Sequence, residues 1–145
     1  MGHRDKVRKL GRTKPHREAM LANMAASLLN HRLIKTTDAK AKALKPLVDR
    51  LIVTAKDDTL SAKRQVARTI RQKPAFKKLY AEIVPHFADR SSGFTRIVKL
   101  GVRRGDGALM SVVELLTPRP VDESAKKGKK DKKAKAAAKE AAEKK

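Results

Sequence analysis

The chain predicts a two-layer α+β fold in the order helix, strand, three helices and a two-strand hairpin, over residues 15–118. Apolar residues recur at the spacing of a buried helix face in three stretches, Met20 to Leu28, Leu44 to Ala55 and Phe76 to Ile83. From Arg96 the pattern alternates instead, and Gly105-Asp106-Gly107 divides it into two strands. A basic arm, residues 1–14, and a Lys/Ala-rich tail, residues 119–145, flank this span. Both hold too little large apolar material to fold alone, and the tail is expected to be disordered until bound.

Thr13 suits an N-cap and Pro15 a first helical turn. Met20, Leu21, Met24 and Leu28 then form one face of a helix ending near His31, with Asn23, Ser27 and Asn30 along its flank. Leu33 to Thr37 is short and β-branched, hence a brief strand. Thr37 or Asp38 caps the second helix, whose buried stripe is Leu44, Leu47, Val48, Leu51, Ile52 and Ala55. Pro46 lacks an amide donor, so it either kinks that helix or stands near the start of its straight part. Asp57-Asp58-Thr59 caps a third helix over about Leu60 to Arg71. Pro74 opens a fourth, with Phe76, Leu79, Tyr80 and Ile83 inward, ending near Pro85–Phe87. In the hairpin, Val98, Leu100 and Val102 are expected on the face that covers the helices. Lys99 and Arg103 fall on the other face, with Ile97 as an apolar exception, and Leu109 to Leu116 returns.

Charge is the strongest functional signal. Lys and Arg number 37 against 15 Asp and Glu, a net +22. The excess is spread: seven bases and one acid in residues 1–17, eleven and five in residues 119–145. Such self-repulsion fits a polyanionic partner, and nucleic acid is the commonest. The absence of cysteine excludes disulfides and thiolate metal sites and suits a reducing compartment. No apolar run approaches the ~18 residues of a membrane span, and the N-terminus has no signal-peptide core. A cytoplasmic protein with no membrane partner is expected.

Candidate RNA-binding residues follow from this. In the arm they are Arg4, Arg8, Lys9, Arg12 and Lys14; at the helix entrance, His16 and Arg17, where free amides already favour anions. Asn23 faces outward on the first helix, where an amide can bond ribose or phosphate. Arg96, Lys99, Arg103 and Arg104 cluster at the Gly-rich turn, although bases on exposed strands also block edge pairing. Phe94 is the one aromatic left open to a stacking role. His3, His16, His31 and His86 form no ligand pattern, and no phosphate-loop or nucleophile motif occurs. No catalytic residue, metal site, cofactor or small-molecule substrate is expected.

The ordered segments resemble the bacterial large-subunit ribosomal protein L seventeen family. His3-Arg4, Leu10-Gly11-Arg12, His16-Arg17, Asn23-Met24, Ile34-Lys35-Thr36-Thr37, Gly93-Phe94-Thr95-Arg96-Ile97 and Arg104-Gly105-Asp106 carry the likeness in order. The resemblance adds His3 and Lys35 to the RNA-binding set. It implies a structural protein bound to 23S rRNA near the peptide exit tunnel, beside neighbouring large-subunit ribosomal proteins. Against it stands a DNA-compacting protein, suggested by the Lys/Ala tail; an enzyme acting on RNA lacks every expected constellation.

Overall fold

The computed structural model describes residues 9–117. Helix α1 spans Lys14–His31, strand β1 Leu33–Thr37, helix α2 Asp38–Lys56 and helix α3 Leu60–Thr69. Helix α4, Lys73–Lys78, continues through a π turn, Leu79–Ile83, into a last turn, Val84–His86. Strands β2, Thr95–Val102, and β3, Leu109–Leu115, close the order. The three strands form one antiparallel sheet, β1-β3-β2, so β1 joins the hairpin and β3 is central.

Local chemistry accounts for most boundaries. Thr13 and Thr37 stand at the N-cap positions of α1 and α2, and neither side chain bonds the helix. Thr59 does cap α3, accepting from the Ala62 amide at 3.2 Å. α3 stops at Thr69, short of the expected Arg71, because Ile70 turns to extended backbone. Pro46 lies exposed inside α2, which runs on both sides of it, so it does not begin the helix. Pro85 has no amide for the Ala81 carbonyl, and the chain takes a wider π turn immediately before it.

The core gathers on one face of the sheet. Ala25, Leu28 and Leu29 of α1 meet Leu44, Val48 and Ile52 of α2, Leu79 and Ile83 of the π turn, and Val113 and Leu115 of β3. Met20 lies outside this core cluster, and Ala25 and Ala26 replace it, so the α1 stripe is rotated from the expected one. Asn30 is half-buried, not on an open flank. Phe94, expected open, is fully buried with its ring edge-on to Phe87 at 5.0 Å.

The hairpin faces are inverted from expectation. Thr95 and Ile97 lie opposite Leu115 and Val113 and turn inward, whereas Val98 is 43% and Leu100 52% exposed. Parity is set at the hairpin base, where Phe94 enters the core. A bulge between Lys99 and Gly101 then breaks the alternation, with Gly101 at φ +109. Beyond it the tip outruns the helices, so Val102 is 67% exposed whichever way it points.

Polar bonds lock α2 to the sheet. The Thr95 hydroxyl donates to Asp49 at 3.0 Å and Lys45 donates to the Thr95 carbonyl at 3.1 Å. The Ser111 hydroxyl donates to Asp38 at 3.2 Å. The last of these fixes the start of α2 against β3, beside the groove described next, and the first two tie the middle of α2 to β2.

Candidate nucleic-acid interface

An open groove of about 590 Å³ runs between α1, β1 and the start of α2. Its apolar wall is Met20, Met24 and Ile34; its polar rim is His16, Asn23, Ser27, Lys35 and Lys40. The short β1 and the tight α1 exit at Arg32 turn the chain back so that Lys35 lines the groove at the β1 edge. Three sequence candidates, His16, Asn23 and Lys35, therefore meet here, all exposed. Ser27, on the same flank as Asn23, joins them, and Lys40 joins unforeseen. Lys40 had a signal in its phase: it stands two residues from Lys42, which folds back onto Asp38 at 2.7 Å. The Lys42 ammonium, with the Ser111 hydroxyl and the Lys99 charge, holds the Asp38 carboxyl below its ordinary range. Among the described residues Lys35 and Lys40 carry no ion pair.

The arm residues divide by role. Leu10 and Gly11 are both left-handed, at φ 54 and 62, and turn the arm back onto the α1 entrance. Arg12 donates to the Leu10 carbonyl at 2.9 Å, and Arg17 reaches the Arg12 and Lys9 carbonyls at 3.4 and 3.5 Å. Both guanidinium groups thus brace the turn that carries Lys9 and Lys14, which are exposed. A guanidinium has five donors, so each keeps N–H groups for an anion. His3, Arg4 and Arg8 lie outside the described residues.

At the hairpin the four bases do not share one surface. Arg96 pairs across the sheet with Glu114 at 2.6 Å, on the face away from the helices. Lys99 lies at the register of Ser111, on the Asp38 side. Arg103 grips Asp106 with two bonds, 2.9 and 2.5 Å. That fork, with the Ala108 amide, holds the Asp106 carboxyl down at about 2, and the same pairing raises the Arg103 guanidinium. Arg104 is exposed beside it with no ion pair among the described residues. Two of the four bases are therefore internal partners, and Lys99 and Arg104 remain for a ligand.

No group of three or more His, Cys, Asp or Glu side chains is placed to hold a metal ion among the described residues. No helix among them is long and apolar enough to cross a membrane. A polar-rimmed groove edged by bases without ion pairs among the described residues, on an α+β scaffold, has chemistry suited to a polyanion. The family model described as Ribosomal protein L17 matches residues 20–116. Relatives named "Large ribosomal subunit protein bL17" include that of Trichlorobacter lovleyi, 49% identical over 80% of this chain and 94% of its own length. That of Rubrobacter xylanophilus is 49% identical over 82% and 98%. For that of Geotalea daltonii, 48% identical over 80% of this chain, the match spans 64% of the relative's length. The chain belongs to the ribosomal protein L17 family.

Proposed function

We propose that this protein is a structural constituent of the bacterial large ribosomal subunit that binds 23S rRNA near the peptide exit tunnel and supports subunit assembly and translation. Family membership over residues 20–116 carries the reading. The chemistry supports it: Lys35 and Lys40 flank a groove whose His16, Asn23 and Ser27 side chains suit ribose hydroxyls and phosphates. Lys9 and Lys14 extend the same surface along the arm, and His3, Arg4 and Arg8 continue it in sequence. Arg104 adds a base at the hairpin tip and Lys99 one beside the start of α2. The mechanism is charge neutralisation plus recognition of folded RNA shape, with no bond made or broken. Neighbouring large-subunit proteins are the further partners, and the site of action is the cytoplasm.

Co-sedimentation of the full-length protein with subunits from its own cells, in rising salt and with or without RNase, tests this. Retention on the large subunit through moderate salt and release by RNase is expected. Loss at low salt with recovery on the nucleoid would replace the reading with DNA compaction.

A further inference from the structure

Helices α3 and α4 carry bases that the interface above does not use. From Thr59 to Ala81 the chain holds seven Lys and Arg and no acid. Two have partners inside the fold. Lys63 pairs with Asp58 at 2.8 Å and lies over the Tyr80 ring, and Lys78 donates to the Asn30 carbonyl at 3.1 Å. Arg64, Arg68, Arg71, Lys73 and Lys77 are all exposed and have no ion pair or hydrogen bond among the described residues. Arg32, Lys42, Arg96 and Arg103 elsewhere, and Lys63 here, each meet a carboxylate. The five exposed bases do not, among the described residues, and they are gathered on two consecutive helices and their link.

The corner also has a shape. Arg68 and Arg71 edge a groove of about 650 Å³ between α1 and the α3–α4 link, floored by Ala22, Ala26 and Leu47. Glu18 on the α1 wall is its one carboxylate, leaving the rim positive. Asn23 borders this groove as well as the first, so α1 separates two basic grooves. The hairpin lies elsewhere. α2 turns Asp38, Lys45 and Asp49 to the sheet. It turns Ala43, Leu47 and Arg50, about half a turn round the helix, toward Thr69 at the end of α3.

We propose that the α3–α4 corner is a second RNA-backbone site, so that one molecule holds two RNA segments on different sides of α1. This rests on the rRNA-binding reading. Arg64 and Arg68 stand one turn apart on a rigid helix, about 6 Å along its axis, on the scale of successive phosphates in a strand. Guanidinium forks bind phosphate oxygens in pairs. Unoffset bases at fixed spacing match a continuous polyanion better than a protein partner, whose contact would centre on a buried apolar or aromatic anchor.

The test is amine acetylation of Lys73 and Lys77, read by mass spectrometry, in free protein, in isolated large subunits and in subunits treated with RNase. Loss of acetylation in the subunit and its return after RNase is expected. Protection that survives RNase assigns the corner to a protein partner, and full reactivity in the subunit leaves it facing solvent; either result overturns the proposal. Absence of the chain from large subunits would instead overturn the rRNA-binding reading. As a second readout, full-length Arg68→Ala/Arg71→Ala protein should fold normally by circular dichroism. Its binding to 23S rRNA should lose about 1.4–1.8 from the slope of log K against log salt, at roughly 0.7–0.9 per lost phosphate contact. An unchanged slope would count against the site.

Discussion

Removing Glu82 should destabilise the fold although Glu82 itself is half exposed. Arg32 ends α1 in a left-handed conformation, φ +64, and its carbonyl accepts the Leu115 amide at 2.8 Å. Its side chain is 3% exposed and is ion-paired with Glu82 of the π turn, which is 51% exposed. The Arg32 Nε and Nη1 atoms are buried and lack partners among the described residues, so Glu82 is the charge that offsets the guanidinium. Breaking a fully buried pair from one side costs about 3–5 kcal/mol. Water reaches the Glu82 side, so about 2 kcal/mol is expected for Glu82→Ala, near 10 °C in Tm for a domain of this size. Arg32→Met removes the buried charge together with its unpaired donors and should cost less, within about 1 kcal/mol. Urea unfolding of the full-length proteins, followed by circular dichroism at constant m-value, measures both. A wild-type midpoint for Glu82→Ala, or a larger loss for Arg32→Met than for Glu82→Ala, would refute the reasoning.

Four further outcomes follow from the structure. Ile97→Lys should cost about 2 kcal/mol or more by driving a charge into the inner sheet face, whereas Val98→Lys should stay within about 0.5 kcal/mol; equal effects in thermal melts would restore the opposite face assignment. Thr59→Ala should lose about 1 kcal/mol with the α3 cap, and Thr13→Ala less, since that side chain bonds nothing in its helix. The Asp106 carboxyl should titrate near 2 by NMR and return toward about 4 in Arg103→Ala. Because its folded pKa is depressed, its contribution to the hairpin is present above the unfolded value and lost as pH falls through about 2. Finally, Lys35→Glu/Lys40→Glu should impair incorporation into large subunits more than removal of residues 122–145, measured by quantitative mass spectrometry of purified subunits; a greater loss from the truncation would reverse those roles.

Helical elements were legible because their signals are local. Periodicity located three of the described helices and cap chemistry the third in order, where Thr59 in Asp57-Asp58-Thr59 is, among the described residues, the cap with a side-chain bond. The hairpin turn was equally local, set by Gly105-Asp106-Gly107. What misled was counting apolar residues on β2. Val98, Leu100 and Val102 outnumber Ile97, yet a strand face is assigned by what it meets, and Phe94 and the bulge before Gly101 decided that. The same limit governed the bases. Composition points to a polyanion binder, but it does not distinguish Arg96, Arg103, Arg12 and Arg17, which have partners within the fold, from Lys35 and Lys40, which have none among the described residues.

By itself, the sequence determined the class: net charge is a sum over residues, and helix and turn signals act within a few positions of the chain. Which cations remain free depends on carboxylates and carbonyls distant in sequence, 18 residues apart for Arg96 and Glu114 and 50 for Arg32 and Glu82. Only folding brings those groups together, so only the tertiary structure decided which bases face outward and where α1, β1 and α2 enclose the groove.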